Sequence, residues 1–314
     1  MKAVSEIIDG VSTNLLFFDN RRSFDEFVSN SSGQSLNSAI RKNELDEQKR
    51  DYATNFYGAP AAKSFEELSN HNAFLGQKVY REQKQKIKNL LRKAEKLGQI
   101  QEIPNKKLKF NDLGLGVFCF PRAAVALRNH KRPDGTIKKV SDVRDIYAYF
   151  PNSDDDRKTI SLYQLVAHAA EIDSNQIIYN GIVTGVISEY LVENGYDVEV
   201  YAAYGAFYDN ENCGSVVKIK SATDEININN LMLLVSDPRY YRTKGFLTII
   251  ESFSYFRKRI DSSMGGATVF KNEAKKLIEK HRKTDAFPIV IRSCTSEESV
   301  LAEVNRVLGI VSKT

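Results

Sequence analysis

Residues 180–221 read NGIVTGVISEYLVENGYDVEVYAAYGAFYDNENCGSVVKIKS, and the change of period within them decides the fold class. Ile182, Val183, Val186, Ile187, Tyr190 and Leu191 recur at helical spacing, so one wide apolar face is predicted for a helix over about residues 177–194. Gly195 stands where a helix expects a left-handed C-terminal residue. The period then drops to two. Val198 and Val200 alternate with Asp197 and Glu199, and Val217 and Ile219 alternate with Lys218 and Lys220. Such alternation describes half-exposed strands, and the polar stretch Tyr208 to Gly214 between them predicts a hairpin at the edge of a sheet.

The same reading extends outward in both directions. Upstream, RKTISLYQLVAHA (157–169) is apolar enough for a central strand. Downstream, NINNLMLLVSDPRYYRTKGFLTIIESFSYFRKRID predicts two helices broken at Asp237-Pro238, the second with Tyr241, Phe246, Ile249, Ile250 and Phe253 on a buried stripe. FPIVIRS predicts a buried strand, and TSEESVLAEVNRVLGI a helix capped by Thr295 and Glu298. Strand, helix, hairpin, helices, strand, helix is the order of an α/β fold with a Rossmann-like sheet and an antiparallel edge hairpin.

The N-terminal part reads differently. SFDEF (23–27) and SFEEL (64–68) are helix starts with Ser three residues before Glu, and SNSSGQSLNS and YGAPAAKS are polar or small-residue segments. A mainly helical, partly irregular region is therefore expected over residues 1–139, ahead of an α/β domain over 140–314. The Pro133-Asp134-Gly135 turn marks the approach to the boundary.

Composition excludes several function classes. The chain has 314 residues, with 42% hydrophobic and 27% charged, as a soluble globular protein does. It holds no apolar run of the roughly 18 residues a membrane helix needs, and its first residues lack the continuous apolar core of a signal peptide. Cys119, Cys213 and Cys294 are far apart in the sequence, which argues against a zinc cluster or a disulfide framework. Gly114 and Gly116 lack the third glycine of a dinucleotide fingerprint. No Gly-x-Ser-x-Gly nucleophile turn occurs.

Three sets of candidate residues remain. Residues 78–109 form a basic block in which Lys84, Lys86, Lys88, Arg92, Lys93, Lys106 and Lys107 are candidates for RNA or DNA phosphates. The competing reading is a solvated helix face, because no aromatic repeat accompanies the charge. His168 and Glu171 lie just past the first strand of the α/β part. Cys294 precedes a helix N-terminus, where the dipole is expected to lower a thiol pKa. No base is placed beside it by the sequence, so a structural cysteine is the competing reading.

The core strand, the helix ending EYLVENGYDVEV, the hairpin and NNLMLLVSDPRYYRTKGFLTIIE together resemble a family of uncharacterised tailed-phage proteins with a von Willebrand factor A-like domain. That resemblance implies a metal position of the form Asp-x-Ser-x-Ser at the end of the first strand, taking Mg²⁺ or Mn²⁺. Here Ala167, His168, Ala169, Ala170 and Glu171 occupy it, which implies a degenerate site. In a shifted loop Asp173 and Ser174 are the candidate ligands. The resemblance thus implies a phage-encoded, non-enzymatic scaffold for a phage or host protein, without cofactor, in the virion or host cytoplasm and not at a membrane. Nucleic-acid binding and metal-dependent ligand binding are the alternatives.

Overall fold

The computed structural model describes residues 1–30, 54–58, 62–69, 85, 89, 109–111, 117–119, 122–123, 146–149, 159–166, 168, 172–260, 268–269, 272–281 and 286–313. Strands β1 (Lys2–Ile8) and β2 (Val11–Phe18) form an antiparallel hairpin, followed by helix α1 (Arg21–Asn30). Short helix α2 (Thr54–Tyr57) and a 3₁₀ turn (Glu67–Ser69) come next. A separate sheet pairs β3 (Lys109–Asn111) and β4 (Val117–Phe118) with β5 (Tyr147–Tyr149). The main fold continues with β6 (Thr159–Leu165), α3 (Ser174–Ile177), α4 (Tyr179–Glu193), β7 (Asp197–Tyr208) and β8 (Glu211–Lys220). It closes with α5 (Ile228–Ser236), α6 (Pro238–Tyr240), a π-helical segment (Tyr241–Gly245), α7 (Phe246–Tyr255), β9 (Thr268–Val269), α8 (Asn272–Lys280), β10 (Phe287–Ile291) and α9 (Glu297–Val311).

The architecture is mixed α/β, as expected. The main sheet runs β1-β2-β8-β7-β6-β10, with β9 pairing the far end of β7. Strands β10, β6 and β7 are mutually parallel, β7 and β8 antiparallel, and β8 parallel to β2. One sheet face, with Leu162, Val200, Ala202 and Val217, packs under α1, α4, α5, α7 and α9 through Phe24, Ile182, Leu233, Phe253 and Val304. The other face packs Tyr163, Leu165, Tyr201 and Val216 with Leu277 and Ile278 of α8.

Two expectations are corrected by this topology. The first 18 residues are not irregular or helical: they are a hairpin turning at Asp9 and Gly10, both at positive φ, as a two-residue turn of the right twist requires. Because β2 pairs with β8, that hairpin belongs to the same sheet as the strands beyond residue 140. In consequence the β7–β8 hairpin is central rather than an edge, and its strands run up to a two-residue turn at Asp209 and Asn210 instead of a longer loop.

Two of the alternating charges, Glu199 on β7 and Lys220 on β8, are correspondingly buried. Glu199 is buried and accepts hydrogen bonds from Ser161 (2.8 Å), Tyr201 (3.0 Å) and Lys218 (3.2 Å). Burial pushes its carboxyl up, but these hydrogen bonds and the Lys218 charge outweigh that and hold it below the ordinary value. A bulge between Val200 and Tyr201 sets Lys220 opposite Val200 and Lys218 opposite Tyr201, so the two lysines leave the strand on different faces.

Helix starts also shift. Asn20, not Ser23, caps α1, its Oδ1 accepting from the Ser23 amide at 2.9 Å. Ser296 and Ser299 cap α9 reciprocally in place of Thr295 and Glu298. At Ser64 the expected pattern holds, with the Glu67 amide donating to the Ser64 hydroxyl at 3.2 Å and the Glu67 carboxylate accepting from the Lys63 amide at 2.7 Å.

Candidate functional site

Ligands of α/β sheets gather at the carboxyl ends of parallel strands, and there the described residues form a polar cluster. β6 delivers His168, β10 delivers Ser293 and Cys294, and the first turn of α4 delivers Asn180. Asn180 is fully buried and joins His168 to Cys294. Its Oδ1 accepts from the Cys294 amide at 2.9 Å, which leaves Nδ2 to donate to His168 Nε2 at 2.6 Å. That orientation makes Nε2 an acceptor and places the imidazole proton on Nδ1. Desolvation, helped by the Arg242 charge, lowers the His168 pKa from 6.5 to about 4, in keeping with a neutral ring.

The segment after Pro238 closes the cluster from above. The Tyr241 hydroxyl accepts from the His168 amide at 2.9 Å, and its ring meets the imidazole edge-on at 5.6 Å. Arg242 donates to the carbonyls of Phe56 and Ile172 and lies 3.7 Å above the Phe56 ring. Burial pushes its guanidinium down to about 10. One turn earlier, Asp237 and Arg239 form a buried bidentate pair, with Nε to Oδ1 at 3.1 Å and the terminal nitrogen to Oδ2 at 2.9 Å. Asp237 also caps α6, accepting from the Arg239 amide at 2.9 Å.

These contacts decide what the strand-end residues do. His168 and Cys294 are brought together, through Asn180, but the thiol points elsewhere, toward the Arg292 carbonyl at 3.7 Å. Burial raises the Cys294 pKa to about 12, and the Glu303 carboxylate pushes the same way. The expected lowering by the helix dipole is therefore corrected: desolvation wins, and the sulfur stays a thiol. Asp173 caps α3, accepting from the Asn175 amide at 2.8 Å, while Ser174 is buried beneath it. Among the described residues no three His, Cys, Asp or Glu side chains are grouped to hold a metal ion. Glu171, Lys84, Lys86, Lys88, Arg92, Lys93, Lys106 and Lys107 lie outside the described residues.

The family model described as Domain of unknown function (DUF7192) matches residues 146–313, which is more than half of the chain. The chain belongs to this family. A search of curated proteins and a search of solved structures each returned no match. The DUF7192 region contains all of His168, Asn180, Asp237, Tyr241, Arg242 and Cys294. Phe56, on which Arg242 stacks, lies ahead of it.

Sequence reasoning missed Asn180, Asp237, Arg239 and Arg242 as partners. Asn180 carried one signal, an amide side chain just before a glycine at a helix start. Arg239, Arg242 and Lys244 carried none, because cations at helical spacing read as a solvent face, whereas all three are buried. The π-helical turn over Tyr241–Gly245 re-aims that face inward. No helix among the described residues is long and apolar enough to cross a membrane.

Proposed function

We propose that this DUF7192 protein is a non-enzymatic protein-interaction scaffold, built on a von Willebrand A-like α/β domain whose metal position has degenerated. The observation that carries the reading is the mutual satisfaction of the strand-end groups. Asn180 engages both His168 and the Cys294 amide, the imidazole is held neutral, and the thiol is held protonated. General acid–base or nucleophilic work needs a group poised near the operating pH and reaching a cavity. His168 and Cys294 instead fix three elements to one another. Asp173, the candidate ligand of a shifted loop, serves as a helix cap. The sequence resemblance to tailed-phage proteins supports a virion or host-cytoplasm setting.

Affinity capture of the tagged full chain, followed by nuclease treatment and mass spectrometry, tests the proposal. A protein retained in stoichiometric amount after nuclease, and able to capture the chain in the reciprocal experiment, is the expected result. Material that consists of nucleic acid and is removed by nuclease, with no protein retained, would overturn it in favour of the basic segment 78–109.

A further inference from the structure

Among the described residues the main sheet ends at β1 on one side and β10 on the other, and the two ends are finished differently. Alternate residues of a strand turn their backbone groups to one side, and on β10 the outward ones are Pro288, Val290 and Arg292. Pro288 has no N–H to offer. The Val290 carbonyl accepts from the Arg306 guanidinium at 2.6 Å, and the Arg292 amide donates to Glu303 Oε1 at 2.8 Å. Glu303 and Arg306 of α9 also hold each other, at 2.8 and 2.5 Å. An added strand would find this row already occupied.

β1 carries no such cover. It pairs with β2 along all of its seven residues, and among the described residues no side chain bonds to its backbone. Two large apolar side chains stand exposed along it, Ile7 at 76% and Met1, just ahead of the strand, at 55%. The strand is also self-complementary about Val4. Laid antiparallel on a second copy with Val4 opposite Val4, β1 sets Lys2 opposite Glu6 of the partner, Ala3 opposite its Ser5 and Met1 opposite its Ile7. Opposite charges and apolar pairs directly across two strands favour a register. Sliding the copies by two residues in either direction instead sets Val4, which belongs to the core beneath α8, opposite Lys2 or Glu6 of the partner. Glu6 already accepts from Lys280 at 2.6 Å and from His281, and its side chain remains 24% exposed. A carboxylate has room for a further donor.

We propose that two copies of the chain pair through β1 as an antiparallel, twofold dimer. The sheet then runs on from one protomer into the other, and the Val4 side chains join the two cores beneath α8. Both remaining sheet ends are capped β10 strands, so growth stops at two.

Sedimentation velocity of the full chain, with nothing added ahead of Met1, tests the proposal from low to high micromolar concentration. A reversible equilibrium between monomer and dimer, with nothing larger, is expected. Lys2→Glu sets carboxylate against carboxylate at both symmetry-related pairs and should weaken the dimer by about tenfold. Ile7→Lys should weaken it by about tenfold or more. Both side chains are exposed, so the far-ultraviolet circular dichroism of each variant should match that of the wild type. Oxidation reads the register. Ala3→Cys and Ser5→Cys chains mixed in equal amounts should form a disulfide between them, above the wild-type background and faster than either variant alone. A chain that is monomeric throughout, a dimer that neither charge substitution weakens, or a ladder of larger species overturns the proposal. So does either cysteine variant cross-linking to itself as fast as the mixture does.

Discussion

Asn180, His168 and Cys294 show how one amide can set the tautomer of a neighbour whose charge burial has already removed. Because the folded His168 pKa lies near 4 and the ordinary value near 6.5, the unfolded chain binds a proton in that interval that the folded chain excludes. Stability is therefore complete above about pH 6.5 and falls as the pH drops toward 4, by at most about 3 kcal/mol from this group. His168→Gln keeps an acceptor for Asn180 and removes the titration. Urea midpoints measured between those pH values should show a flatter slope for the variant, and an unchanged slope would assign the acid sensitivity elsewhere. Asp237 makes a second case at the same scale. Asp237→Ala removes the bidentate carboxylate from a guanidinium that is 2% exposed, and also uncaps α6. A loss of about 3–5 kcal/mol is expected in chemical denaturation, and a loss below about 1 kcal/mol would mean that Arg239 finds other compensation.

Between elements, the tightest constraint is the crossing of α4 and α5. Residues 178–181 begin a helix without a side-chain cap of their own, and Ser236 at the end of α5 supplies one, accepting from the Gly181 amide at 2.7 Å and donating to the Ile178 carbonyl at 3.1 Å. A methyl group at Gly181 would meet Met232 Sδ at 2.6 Å and come closer still to Ser236 Oγ. Gly181→Ala should therefore force the helices apart and cost about 2–3 kcal/mol, readable as a lower urea midpoint; retention of the wild-type midpoint would show that the crossing can relax. This scale is also where the sequence was most and least legible. Strand β6, helix α4 with Gly195 at φ +86°, the β7–β8 pair, the break at Asp237-Pro238, β10 and α9 all follow from period and punctuation. The hairpin IIDGVS is equally local, an Asp-Gly step between alternating residues, but the helix signals just beyond it compete with that short cue. Burial of Glu199 and Lys220 is not local at all. Their alternation is that of half-exposed strands, whereas β7 lies between β6 and β8, and the arrival of β2 beyond β8, from residues nearly 200 positions earlier in the chain, makes β8 central as well. The polar cluster is illegible for the same reason, since Asn180 and Cys294 meet across 114 positions.

At the scale of the whole molecule, the family region and the folded sheet do not coincide. The DUF7192 match begins at residue 146, yet β2 is hydrogen-bonded along β8 from Ser12 to Phe18. Removing the N-terminal residues would strip β8 of its neighbour and expose a row of unpaired backbone groups through the middle of the present sheet, the kind of edge that recruits other chains. It would also uncover apolar surface on both faces, because Leu16 and Phe18 belong to the core under the helices and Leu15 to the core beneath α8. These three side chains are at most 2% exposed. At about 1.5–3 kcal/mol for each buried side chain, their loss approaches the roughly 5–15 kcal/mol that separates a folded domain from its unfolded chain. A fragment of residues 146–313 is therefore expected to aggregate or to lack a cooperative thermal transition, while the full chain unfolds cooperatively. Size-exclusion chromatography with a thermal melt distinguishes the outcomes. A monomeric fragment melting with the full chain would show that β6, β7, β8 and β10 suffice, and that the first hairpin is an addition to the family's fold rather than a part of it.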